Sequence, residues 1–143
     1  MIRLYEIAKA LEEHQRIVIL THENPDGDTL GSAFALYYAL TAMGKQVRVE
    51  NCGPIPTQFS YLTADYRREE FEPDWILAVD VADVKLLGSL RGQYEGKIDC
   101  CIDHHRENRS GAKECYLEST SASTCELIWL LLQTMDAAIS PMV

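Results

Sequence analysis

Long apolar runs are missing from this chain. Nothing in its 143 residues approaches the roughly 18 to 20 consecutive apolar positions of a membrane-spanning helix, which excludes a helical membrane protein. A secretory leader is not expected either, because the first fifteen residues carry Glu6, Glu12 and Glu13 where a leader is basic and then apolar; the expected compartment is the cytoplasm. Positive charge is scarce: 13 Lys and Arg against 22 Asp and Glu leave a formal charge of −9. Long duplex nucleic acid, held chiefly by cations on phosphates, is therefore not an expected partner. A short anionic substrate met by bound cations remains compatible. No Cys-x-x-Cys occurs among Cys52, Cys100, Cys101, Cys115 and Cys125, so a zinc ribbon and a thioredoxin-type redox site are excluded. Their odd number, and the adjacent pair Cys100-Cys101 in a strand-like run, point to reduced and mostly buried thiols. A Gly-x-Ser-x-Gly elbow and a Walker-type loop are also absent.

What is present is concentrated in one stretch. The apolar run Arg16 to Thr21 stops at His22, and an Asp26-Gly27-Asp28 turn then feeds a helical pattern, so a polar cluster sits where a strand hands over to a helix. Ligands bind at that edge of an open α/β sheet. His22, Asp26 and Asp28 offer one imidazole and two carboxylates on a turn shaped by Pro25 and Gly27, the first half of a metal site. Asp28 also stands where a helix N-cap belongs, but capping does not account for His22 and Asp26 as well.

Around this stretch the spacing predicts a helix over 2–14, with Ile2, Tyr5, Ile7, Ala8 and Leu11 inward and His14 at its end, a position that favours the helix dipole or water over a ligand role. An amphipathic helix over 29–43 ends at Gly44. Gln46 to Asn51 alternates like a half-exposed or edge strand. Pro54, Pro56 and Pro73 break 52–74 into loop and short helix, with Phe59, Tyr61 and Leu62 as anchors and Arg67 to Glu72 as a solvated face. Trp75 to Val79 is continuously apolar, the mark of a parallel strand covered on both sides, and ends on Asp80; Asp83 beyond it reads better as a cap. Lys97 to Ile102 forms a fourth strand running into Asp103-His104-His105. Residues 106–115 read as a surface loop in which Arg106 and Arg109 either face solvent or meet an anion. Ser123 with Glu126 opens a helix that Leu127, Ile128, Trp129, Leu131 and Leu132 bury nearly all round; its serines either cap it or greet a phosphate.

Strands alternating with helices predict an open, largely parallel sheet flanked by helices. Three strand ends then supply His22, Asp26, Asp28, Asp80, Asp103, His104 and His105. Oxygen and nitrogen donors without thiolates suit Mn²⁺ or Mg²⁺, and so many carboxylates in one crevice call for cations. Two ions sharing one aspartate, roughly 3.5 to 4 Å apart, activate water and clamp a phosphoryl group, so the deduced chemistry is phosphoester or phosphoanhydride hydrolysis.

His22-Glu23-Asn24-Pro25-Asp26-Gly27-Asp28, Val79-Asp80 and Asp103-His104-His105 resemble, in order, the first three motifs of the DHH phosphoesterase family. The resemblance implies a three-layer α/β/α domain over 1–143. It implies that His22 and Asp26 hold one manganese ion, that Asp28 and His104 hold the other, and that Asp80 bridges them. His104 is thereby both ligand and, with Asp103 and His105, part of the catalytic tripeptide. The first motif looks most like the bacterial oligoribonuclease and pAp phosphatase group, which implies very short RNA or a small phosphorylated nucleotide as substrate. Cyclic dinucleotide phosphodiesterases, inorganic pyrophosphatases and a non-catalytic metal- or nucleotide-binding module are the alternatives. A fourth-motif aspartate and a C-terminal substrate-binding domain have no counterpart up to Val143, and Asp136 comes too early for the former. An incomplete domain, weak activity and pairing of two copies through a bared apolar edge are the expectations that follow.

Overall fold

A computed structural model describes residues 1–143. Its centre is a five-stranded, wholly parallel sheet in the order β2-β1-β3-β4-β5, formed by β1 (Arg16–Leu20), β2 (Gln46–Glu50), β3 (Trp75–Val79), β4 (Cys100–Asp103) and β5 (Glu114–Leu117). From β1 the chain steps outward to the edge strand β2, then returns past β1 to start β3. This reversal opens a crevice beyond the C-terminal ends of β1 and β3, where an open α/β sheet binds ligands.

Alternation along the strands divides the core between two faces. Ile17, Ile19, Leu77, Val79, Cys100 and Ile102 point to one side, under α1 (Leu4–Glu13), α2 (Gly27–Ala42) and α4 (Thr124–Thr134). Val18, Leu20, Ile76, Ala78 and Cys101 point to the other, closed by Leu87 and Tyr94 from the 3₁₀ segment Val84–Leu90 and the single-turn α3 (Arg91–Tyr94). The adjacent cysteines thus face opposite layers, both buried and unpaired. The sheet and its α/β/α layering agree with the expectation from sequence.

Several local expectations are corrected. The sequence predicts four strands, whereas the structure has a fifth, β5, which overlaps the end of the 106–115 segment read as a loop; it is four residues long with none of them buried, so neither length nor burial marks it. In α1 it is Leu4, not Tyr5, that joins Ile7, Ala8 and Leu11 on the packed side; Tyr5 is 57% exposed. Of the two roles expected for His14, the structure shows the helix-end one: its Nδ1 lies 2.8 Å from the Ala10 carbonyl in the last turn of α1, and its ring stacks on Trp75. Helix α2 is not amphipathic but buried around most of its circumference, between the sheet, α4 and the 3₁₀ segment Thr57–Thr63. In α4 the reverse holds, because Trp129 and Leu130 are exposed and, of its apolar residues, Leu127, Ile128, Leu131 and Leu132 are covered. Tyr61 anchors nothing and is 65% exposed.

The edge strand β2 is more deeply covered than its alternation suggests. Arg48 and Glu50 are both buried, with Arg48 Nε 2.8 Å from Glu50 Oε1 and Arg68 forking onto both Glu50 oxygens at 3.0 Å. The charged residues of 67–72 stay exposed, as expected of a solvated face, while the Glu69 and Phe71 carbonyls of that segment accept hydrogen bonds from Arg48 Nη1. The edge is thereby protected from pairing with another strand.

Candidate metal centre

The seven crevice side chains arrive on three pieces of chain, 22–28, 80 and 103–105. His22 lies just beyond β1, and the turn through Asn24 and Pro25 brings Asp26 back beside it, His22 Nε2 to Asp26 Oδ1 being 3.7 Å. Asp26, not Asp28, is the N-cap of α2, accepting from the backbone N–H of Asp28 and Thr29 at 3.0 and 3.1 Å. One carboxylate therefore caps the helix and faces the histidine at once. Thr29 fastens the start of α2 to the end of β3 by donating its hydroxyl to the Val79 carbonyl at 3.0 Å.

Asp80 is the hub. It is 3% exposed, and its left-handed backbone (φ 60°), uncommon outside glycine, turns its carboxylate into the crevice at the end of the central strand. Oδ2 stands 3.7 Å from His22 Nε2, while Oδ1 stands 3.7 Å from both His104 Nε2 and His105 Nδ1. Two groups of donor atoms, each within 4.8 Å of one another, share this residue: His22, Asp26 and Asp80, and Asp80, His104 and His105. Asp28 completes the ring from the other side, with Oδ2 at 3.4 Å from His104 Nε2.

These separations test the fit to a metal. At 3.4–3.7 Å the pairs are too long for hydrogen bonds. They match the spacing of two ligands that each stand about 2.1 Å from a common ion. The tautomers agree, because His22 Nδ1 is committed to the Glu23 carbonyl at 2.7 Å, which leaves Nε2 free as a donor. The Asp80 carboxylate at 3.7 Å, helped by Asp26 and the Glu23 carbonyl and opposed by burial, raises the His22 pKa to about 9.

Asp103 lies beneath rather than in the ring. It is fully buried, and its Oδ1 takes a 2.6 Å contact from His105 Nδ1 together with the His105 backbone N–H at 3.2 Å. That bond raises the His105 pKa against the effect of burial and leaves Nε2 as the ring nitrogen not engaged by Asp103.

A model of the "DHH family, N-terminal domain" matches residues 16–142. The chain belongs to the DHH family. It is 30% identical over 126 residues to the bifunctional oligoribonuclease and PAP phosphatase NrnA of Thermus thermophilus, covering 86% of this chain and 37% of that protein. The namesake from Mycoplasma genitalium is 28% identical over 130 residues, with 86% and 41% covered. The chain thus spans about two fifths of the length of these relatives. Among solved structures, an exopolyphosphatase-related protein from Bacteroides fragilis superposes with a TM-score of 0.81 at 23% identity, over 92% of this chain and 43% of that one. Exonuclease RecJ bound to manganese gives 0.59 at 19% identity, over 92% and 37%. Both share the fold.

All seven residues singled out in this DHH family chain converge on the crevice, Asp103 from below. Arg106 and Arg109 do not: both are exposed, and Arg109 pairs with Glu107. Asp83 caps the 3₁₀ segment after β3 by accepting from Lys85 N–H at 2.8 Å. Three contributors escaped the sequence reading. Thr124 donates its buried hydroxyl to Asp80 Oδ1 at 2.9 Å; Asn108 Nδ2 donates to Asp103 Oδ2 at 2.8 Å; and buried Ser110 donates backbone N–H and hydroxyl to Asn108 Oδ1. Thr124 sits beside the capping serine and Asn108 in a polar loop, so nothing local distinguishes them. The phosphate reading of the Ser123 region is replaced, because the carboxylate of Asp28 already takes the N–H groups of Thr124 and Cys125 at 2.9 and 2.8 Å while Ser123 Oγ accepts from Glu126 N–H.

Proposed function

We propose that this chain is a metal-dependent phosphoesterase domain that hydrolyses short oligoribonucleotides or the 3′ phosphate of pAp. His22, Asp26 and Asp80 would hold one divalent ion, Mn²⁺ or Mg²⁺, and Asp28, Asp80 and His104 the other. The observation that carries this reading is the Asp80 carboxylate, buried and turned with one oxygen toward each group. Names borne by the relatives from Thermus and Mycoplasma support the substrate class.

Bound ions would supply an acidified water near neutral pH and neutralise the phosphoryl oxygens. The chain's own groups do the rest. Asp26 and Asp28 are fixed by helix backbone, one capping α2 and one seated on α4, so the ring keeps its shape when the ions are absent. His105, oriented by Asp103 through Nδ1, presents Nε2 to hold or deliver a proton at the leaving oxygen. Thr124 fixes the Asp80 carboxylate by occupying Oδ1 from behind.

The decisive experiment measures phosphate release from pAp and cleavage of a diribonucleotide, with Mn²⁺, with Mg²⁺ and with chelator. Metal-dependent turnover that disappears in Asp80→Asn is expected. Turnover unchanged in that variant would refute the assignment, and pyrophosphate or a cyclic dinucleotide as the preferred substrate would move it to those classes. Metal and nucleotide binding without hydrolysis would make the chain a binding module.

A further inference from the structure

A cleft of about 640 Å³ opens beside the His22–Asp26–Asp80 group, within the 300–1,000 Å³ usual for small-molecule sites. One wall is Glu23, Asn24 and Pro25, the residues that join His22 to Asp26; the other is the loop over 52–57 that follows β2. The two walls are clamped at their base. Gly88 (φ 57°) lets Cys52 Sγ and Glu23 Oε2 approach to 2.8 Å from where a β-carbon would stand, and Glu23 N–H bonds the Leu86 carbonyl. A side chain at 88 would have to displace the ends of Cys52 and Glu23 from these places.

The chemistry of the lining selects an occupant. Pro25, Pro54, Ile55 and Pro56 present apolar surface, and Asn24 and Thr57 add an amide and a hydroxyl. No lysine or arginine lines the cleft, and Glu23 places a carboxylate in its wall. A second phosphate or a polyphosphate chain would find only repulsion there, whereas a flat, neutral, partly polar group would pack on the prolines and meet the amide. We infer that this cleft holds the nucleoside of a substrate whose phosphate lies at the His22–Asp26–Asp80 group, which makes the substrate a nucleotide ester and not inorganic pyrophosphate or polyphosphate. The inference rests on the phosphoesterase reading of the metal centre.

Cys52 reports on occupancy. Its thiol stands in the cleft wall, and bonds from the Ser89 hydroxyl and N–H lower its pKa, whereas burial raises those of Cys100, Cys101, Cys115 and Cys125. Alkylation by iodoacetamide near neutral pH, followed by peptide mass spectrometry, therefore reads Cys52 in the unmodified chain. With Mn²⁺ present, 5′-AMP at about ten times its Kd is expected to slow alkylation on the order of tenfold, the factor set by occupancy. Mn²⁺ alone and pyrophosphate should leave the rate unchanged. Blocking Cys52 with N-ethylmaleimide should abolish AMP binding and spare Mn²⁺ uptake. If calorimetry shows AMP bound while Cys52 reacts at its free rate, or if pyrophosphate protects equally well, the cleft assignment is overturned although the metal-centre reading stands. If AMP does not bind although Mn²⁺ does, the cleft assignment falls alone; if Mn²⁺ does not bind either, the metal-centre reading falls with it.

Discussion

Asp28 accepts the backbone N–H of Thr124 at 2.9 Å, across 96 residues of sequence. Its second oxygen takes the N–H of Cys125 at 2.8 Å, so the carboxylate sits on the positive end of the α4 dipole while facing His104. The helix and the crevice are thus tied by a residue that is also a proposed ligand. Asp28→Ala is expected to lower the stability of the metal-free protein by about 1–2 kcal/mol, the usual worth of a cap with its dipole. Asp28→Asn should recover part of that loss without restoring metal uptake. Urea unfolding in chelator gives the first quantity and Mn²⁺ titration the second. Equal stability of all three proteins would refute the double role.

Protonation of His22 opposes metal binding. Its pKa of about 9 exceeds the free value of 6.5, so the metal-free protein gains stability that is complete below about 6.5 and is lost as pH rises through about 9. A metal needs the neutral imidazole, so affinity should climb with pH over the same window and uptake near neutrality should release a proton. Calorimetry in two buffers of different ionisation enthalpy measures that proton. A heat independent of buffer would contradict the expectation.

Asn108 governs His105 at one remove. Removing its amide in Asn108→Ala takes a 2.8 Å hydrogen bond from fully buried Asp103, at a cost of about 1–3 kcal/mol for the unsatisfied carboxylate. Loss of orientation should reduce turnover by roughly ten- to a hundredfold. The nitrogen shifts of ¹⁵N-labelled His105 separate the two effects, since a purely structural role would leave its Nδ1–H bond to Asp103 in place.

Glu50 holds the covered edge together. Burial alone would raise its pKa, but Arg68 and Arg48 outweigh burial and keep the carboxyl below its usual range. A lowered carboxyl contributes stability above the ordinary glutamate pKa and loses it as pH falls below that value. Glu50→Ala strands the buried Arg48 and should cost about 3–5 kcal/mol near neutrality. The loss should shrink in acid, where wild type and variant converge; unfolding curves at neutral and acid pH compare them.

Much of this was legible in particular residues. Each of β1, β3 and β4 is an apolar run that stops on His22, Asp80 or Asp103, and a strand's end is readable because burial requires the run and the crevice permits its interruption. Strand β5 is not legible in the sequence because parallel pairing to β4 uses backbone groups and leaves only a weak side-chain pattern. The α2 cap is Asp26 and not Asp28, two residues from the position the sequence favours, because both aspartates flank one glycine and both satisfy the local rule. Tertiary contact chose between them, as α4 arrives with two free N–H groups that Asp28 alone can meet.

By itself the sequence determined which side chains can bear metal chemistry, that they stand at strand ends, and that the sheet is parallel, since these follow from hydrophobic runs and from residue type. Only the tertiary structure decided which oxygen of Asp80 faces which histidine, that Thr124 and Asn108 belong to the site, and that a cation-free cleft adjoins it. Those features depend on distances between segments up to 97 residues apart, and no local pattern of residues encodes such a distance.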